Sequence, residues 1–566
     1  MEENIKNVES IEILENMEKS SKEKVSKIKF HIVAVICIIL FAIAISPKTL
    51  QNDTFYTVKI GEYISQNGIS NLTEDPFSWI DLPYTFPHWL YDFFMYKIYS
   101  FFEWDGIYAS TIIFAAILGL SIYMLSNKLS KNSVVSFLGA MLAMYCLKPY
   151  ITARAQLVTF ILFVLTVYFI EKFLETSKKR YALPLIIIPI AIANPHVAVW
   201  PFYFVLYLPY IAEYILSLQI LNFDFILKLK KVFWRIINKI KKSEKIEEKI
   251  NTLDEKLKDN KSKREYYFEN PYKVKIEKNK NYKWLFLIFI ICIFTGLLTP
   301  LGPSTPYTYL YKTMIGNTTS VINEHLPLTL VDNEECIIFL VVTLFLLIFT
   351  DTKIRAKNIF FLIGLIALTF ITRRQFSMLA LIGIPIVVEL FSNLLDNHIP
   401  TSKKKLLYTF SSIVGAAFII CVVFLIGSKF YKEKAGNEYI TNSYPVAASN
   451  WILNNLDLEN IRLFNEYNYG SYLLYRGIPV MIDSRCDLYT PEYNTKTKDP
   501  KDGTDIFMDV QKVCTISVQY ETVFDKYDIT HVISYTNSKL SMLLRNDDNY
   551  KVLYRDNNFT VYERNV

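Results

Sequence analysis

Apolar residues in this chain gather into runs long enough to span or nearly span a bilayer. The runs cover 31–46, 105–126, 133–148, 155–174, 183–193, 197–217, 284–299, 336–350, 358–372, 376–395 and 407–427. They predict about eleven transmembrane helices, the run 183–193 being short and carrying Pro184 and Pro189. Residues 88–102 differ, because Asp92 and Lys97 interrupt their apolar positions and predict an amphipathic helix lying in the interface. From about Asn437 the pattern shifts to short strand-like runs at 461–464, 480–482, 531–534, 550–554 and 559–562. Helical stretches near 445–455 and 505–526 accompany them, and the alternation predicts a small sheet flanked by helices.

Basic residues orient this pattern. Lys128, Lys131, the Lys178-Lys179-Arg180 run, Lys353, Arg355, Lys357 and Lys403 to Lys405 share one predicted side with the polar tail 1–30. That side is cytoplasmic by the positive-inside rule. An odd number of crossings then places the loops 47–104 and 300–335 and the segment 437–566 outside. The expected fold class is a polytopic α-helical membrane protein, its transmembrane part over 31–427, with a small C-terminal extracytoplasmic α/β domain. It is expected in the cell membrane as a multi-pass protein, N-terminus inside. Residues 228–283 form a cytoplasmic insertion with 19 Lys and Arg against 9 Asp and Glu. A helical hairpin on anionic lipid and a solvated spacer both fit that composition.

Composition agrees with a membrane protein. Hydrophobic residues make up 52% of the 566 and mean hydropathy is +0.22, too apolar for an ordinary soluble enzyme. The net charge of +7 sits beside apolar runs, so it predicts contact with membrane lipids and no nucleic-acid partner. Five of the seven cysteines fall in or beside apolar segments. Cys486 and Cys514 could pair if their region is extracytoplasmic.

Charges in unusual places carry the candidate chemistry. Arg154, Arg373 and Arg374 lie at outer helix ends, where basic residues are scarce. Their planar forks could hold a phosphate, or they could snorkel to lipid headgroups. Asp53, Asp75, His88, His196 and Glu324 share that predicted face. A carboxylate there could act as general base or, with a second one, bind a divalent cation. The plain readings are a helix cap for Asp53, a turn for Asp75 and a satisfied core histidine for His196.

The stretches Asp53-Thr54-Phe55-Tyr56, Gly61, Asp75-Pro76-Phe77-Ser78 and His88-Trp89-Leu90 resemble the first loop of the C-type glycosyltransferase (GT-C) superfamily. That group includes protein mannosyltransferases, aminoarabinose transferases and oligosaccharyltransferases. Supporting stretches are Arg154-Ala155-Gln156, Asn194-Pro195-His196, Ile322-Asn323-Glu324 and Arg373-Arg374, with 464–473 and 482–489 in the C-terminal region. The resemblance implies transfer of a sugar from a polyprenyl-phosphate carrier to a glycan, lipid or protein acceptor of the cell envelope. It makes Asp53 the general base, and Arg373, Arg374 and Arg154 the phosphate holders. Many members carry two adjacent acidic residues in this loop. Here Thr54 follows Asp53, which weakens a metal requirement. Two other readings are a lipid-linked glycan transporter or flippase, and a non-catalytic envelope assembly protein. No internal repeat of the transporter kind is visible.

Overall fold

The computed structural model describes residues 28–69, 74–83, 86–218, 224–315, 322–331, 333–398, 416–434, 438–495 and 499–565. The N-terminal tail before residue 28, Lys403 to Lys405 and the start of the 407–427 run lie outside the described residues. Among the described residues five helices are long and apolar enough to cross a membrane: Ile28–Ile45, Trp89–Ser130, Ala155–Thr176, Val197–Ser217 and Arg373–Asn397. Ser133–Cys146, Tyr282–Leu297 and Ala356–Ile371 are shorter apolar helices beside them. The helix Trp89–Ser130 breaks at Glu103, where φ is 49° and ψ −143°. The break separates the expected interfacial segment from the apolar one, and Phe101 and Phe102 stand exposed just before it.

At one end of the bundle, buried charges tie the helices together. Lys357 pairs with Glu171, which also accepts from the Tyr210 hydroxyl at 2.7 Å. Arg355 reaches Glu213 at 3.0 Å and Glu277 at 2.9 Å. Ion pairs this deep must be closed, since a lone charge in an apolar bundle is costly. Arg154 and Glu171 sit at opposite ends of the helix Ala155–Thr176. The charged network is therefore about 25 Å from the first turn of that helix.

The first loop folds onto the C-terminal region. Its helix Asn52–Asn67 carries Asp53 in the first turn, where a negative charge suits the helix dipole, and stops at Gly68 with φ 76°. A Cβ on Gly61 would run into the backbone carbonyl of Asp92, so this helix lies tightly against the segment that begins at Trp89. Phe55 is fully buried among the rings of Trp104, Tyr444, Tyr472 and Tyr475, with centroids 4.9–5.7 Å away. The C-terminal region holds a four-stranded sheet in the order 463–464, 531–535, 559–564, 550–555. Its first pair is parallel and the others are antiparallel.

Candidate functional site

The structure brings Asp53, His88, Arg154, His196, Glu324 and Arg374 to the wall of one cavity of about 170 Å³. Asp53, His88, Arg154, His196 and Arg374 lie at the starts of five different helical segments, and Glu324 lies in the short turn Asn323–His325. The N-cap of its helix is Gln51, so Asp53 stands in the first turn rather than at the cap expected for it. It pairs with Nη2 of Arg154, whose Nη1 lies 3.8 Å from Glu324. Arg154 is itself the N-cap residue of Ala155–Thr176. A cation there opposes the helix dipole, and the two carboxylates offset that cost. Burial works against the Arg154 charge, but Asp53 and Glu324 outweigh it and hold its pKa above the ordinary arginine value.

Arg374 occupies a short 3₁₀ turn, Arg373–Gln375, that leads into the helix starting at Phe376. Its Nη2 donates to Oε1 of Gln156 at 3.3 Å, and it forms no ion pair within 4 Å among the described residues. Together with Arg154 it holds the Glu324 carboxyl below its usual range, against the effect of burial. A guanidinium beside a helix N-terminus is a setting in which an anion is doubly favoured.

His88 and His196 meet edge to face with ring centroids 4.9 Å apart. Burial, then the charges of Arg374 and Arg154, lowers the His88 pKa to about 4. His196 is pushed well below the ordinary value by burial first, then by His88 and the arginines. Both imidazoles are neutral at pH 7 and can donate or accept hydrogen bonds. Thr159 lies 3.3 Å from Nδ1 of His196.

Two predicted residues fall outside the cavity wall. Arg373 is held through its backbone, its amide donating to Leu326 and its carbonyl accepting from Tyr150, while its Nε finds no partner. Asp75 takes the turn role weighed for it and adds an ion pair that the sequence did not foretell. It accepts from the Ser78 amide at 2.9 Å and grips Arg485 through two contacts of 2.5 and 3.1 Å. Arg485 then lines the cavity in its place. Cys486 also lines it, and both Cys486 and Cys514 are separate thiols rather than a disulfide. Sequence reasoning missed Tyr309, whose hydroxyl donates to Oδ2 of Asp487 at 2.9 Å on the cavity wall. As one of 39 tyrosines it carried no signal.

No protein-family profile and no curated protein matches the sequence. The crystal structures of an oligosaccharyltransferase from Archaeoglobus fulgidus do align with the fold. The apo form gives a TM-score of 0.52 at 11% identity. The form tethered by a disulfide bond to an acceptor peptide with the NVT sequon gives 0.51 at 10% identity. Each alignment covers 89% of this chain and 69% of the other. The fold resembles an oligosaccharyltransferase. At such identity the likeness speaks to the fold alone, and chemistry has to be argued from the cavity.

The carboxylates on this face could have bound a divalent cation, and their surroundings do not suit one. Among the described residues no three His, Cys, Asp or Glu side chains are grouped as a metal site requires. Asp53 and Glu324, the two carboxylates best placed, share the Arg154 guanidinium.

Proposed function

We propose that this chain is a membrane glycosyltransferase that moves a sugar from a polyprenyl-phosphate carrier to an acceptor on the extracytoplasmic face. The observation that carries the reading is the meeting of Asp53, Arg154, Glu324, Arg374 and two neutral histidines in one cavity of an oligosaccharyltransferase-like fold. In this reading all eleven apolar segments cross the bilayer, and the basic residues keep the N-terminus and the Lys357–Glu171 end cytoplasmic.

Arg374, with no carboxylate partner within 4 Å among the described residues, takes the carrier phosphate. Arg154 fixes the Asp53 carboxylate, so this residue positions the base rather than binding substrate. An acceptor O–H or N–H hydrogen-bonds to Asp53 and attacks the anomeric carbon from the face opposite the phosphate. The new bond to that carbon forms as its bond to the phosphate oxygen breaks. The acceptor proton passes to Asp53, and the electron pair leaves on the phosphate beside Arg374. His88 and His196 receive sugar hydroxyls. An apolar groove of about 340 Å³ is lined by Phe376, two residues from Arg374, and by Leu142, Val342 and Val387. It gives the prenyl chain a path into the bilayer.

The test is transfer of labelled sugar from a polyprenyl-phosphate donor by the purified protein. Asp53→Asn is expected to lower the rate at least about 100-fold while the protein still inserts and melts as before. Full activity in that variant would remove Asp53 from the mechanism. Counterflow of a lipid-linked sugar without transfer would establish a transporter instead.

A further inference from the structure

The charged insertion contains two helices, Asp224–Ile240 and Glu244–Glu269, packed antiparallel. Lys231 pairs with Asp254, and Asn260 donates to Asp224 at 2.9 Å. Lys249 covers the Trp234 ring at 4.3 Å. Asp224, Lys231 and Trp234 thus mark the face that the first helix turns to the second. A different face is left bare. Ile226, Leu229, Phe233, Ile236 and Ile240 recur every three or four residues and are each more than half exposed. That spacing places them in one stripe along the helix.

Charge flanks the stripe on both sides. At 100° per residue Lys230 lies along one edge, and Lys228, Arg235 and Lys239 lie along the other. All four are exposed. The helix lacks acidic residues after Asp224. Apolar stripe, cationic shoulders and no acidic residue between them describe a surface for an anionic lipid interface.

The position agrees. Chain leaving the hairpin is tied to the bundle at the end opposite the cavity. Val274–Lys275 pairs with Ile354–Arg355, the Glu277 amide donates to Glu213 at 3.3 Å, and Asn279 donates to the Leu174 carbonyl at 2.8 Å. The hairpin base is therefore held where helices leave the bilayer on that side.

We propose that the helix Asp224–Ile240 lies in the anionic headgroup layer at the end of the bundle opposite the cavity. Its isoleucine, leucine and phenylalanine stripe enters the acyl boundary, and Lys228, Lys230, Arg235 and Lys239 meet lipid phosphates. The proposal is independent of the chemistry in the cavity. It ties the bundle's cytoplasmic end to the leaflet's charge, so lipid composition changes the order of this helix while leaving the cavity as it is.

Hydrogen exchange on the full chain in nanodiscs tests it. One set holds phosphatidylcholine alone, and the other about one-third phosphatidylglycerol. Amides of 224–240 are expected to exchange more slowly with the anionic lipid. The paired change Leu229→Glu with Phe233→Glu is expected to restore fast exchange in both. A second variant, Arg235→Gln with Lys239→Gln, keeps the stripe and is expected to lose only the dependence on anionic lipid. Equal exchange of the wild-type helix in both lipids and in detergent would overturn the proposal. So would protection that rises with protein concentration in neutral lipid, because a second copy would then be covering the stripe.

Discussion

Arg154 and Arg374 look alike in the sequence, each an arginine at an outer helix end, and the structure separates them. Arg154 commits its guanidinium to two carboxylates, whereas Arg374 faces the cavity and, among the described residues, hydrogen-bonds through its side chain to Gln156 alone. Arg374→Met is therefore expected to reduce kcat/KM for a polyprenyl-phosphate donor by roughly 100- to 1,000-fold, as loss of a charged contact to a leaving group does. Arg374→Lys should recover part of this, because the charge returns without the two-pronged fork. Unchanged kinetics in the Met variant would move the phosphate elsewhere. His88 gives a second prediction, read as stability. Its pKa falls from 6.5 to about 4 on folding. Between those values the unfolded chain binds a proton that the folded chain refuses. Stability contributed by the neutral ring is complete above about pH 6.5 and is lost as pH falls toward 4. His88→Gln should flatten that part of the stability curve, and an unaltered slope would contradict the assignment. Six of the eight candidate residues line one cavity, and each stood out in the sequence because a charge at a membrane boundary is costly. Tyr309 did not, since a tyrosine at an interface is ordinary.

At the level of elements, hydrophobic runs foretold where helices lie far better than what their ends do. The runs are set by the local requirement that backbone polar groups be satisfied within a helix in lipid. The buried network at Glu171, Lys357, Glu213 and Arg355 joins positions 142 and 186 residues apart, and no local pattern reports such a pairing. Lys357 was read only as one of several orienting charges. Its burial against Glu171 implies a structural task. Lys357→Met should destabilise the bundle by about 1.5–3 kcal/mol, because Glu171 would lose its nearest cation and keep only the Tyr210 hydroxyl and Arg355 at 3.8 Å. Adding Glu171→Leu should recover much of the loss, since an apolar pair of similar volume suits this interior. Thermal melts of the single and double variants in one detergent decide the matter. A single variant as stable as the wild type would show that water reaches the pair.

Across the whole molecule, the first loop and the C-terminal region act as one body. Asp75 and Arg485 are 410 residues apart, yet they form a two-contact ion pair, and Asp483 holds the same guanidinium at 2.6 and 2.8 Å. Tyr489 donates to that Asp483 at 2.6 Å, which closes the set. Nearby, the Ser78 hydroxyl and the Trp79 indole donate to Val480 and Leu463 at 2.9 and 3.0 Å. The resemblance drew separately on Asp75 and on the stretch 482–489, and only the folded chain joins the two. The consequence is that Asp75 supports the cavity through Arg485. Asp75→Asn should cost about 2 kcal/mol, the usual effect of removing one charged partner while another remains. The same variant should expose 74–83 to protease before the bundle melts, and should raise KM for the acceptor more than it lowers kcat. Arg485→Met removes the shared partner, so adding Asp75→Asn to it should cost little more, and the two changes should be strongly non-additive. Additive losses, or a protease-resistant loop in Asp75→Asn, would mean that the ring contacts around Phe55 and the bonds from Ser78 and Trp79 hold the loop without the ion pair.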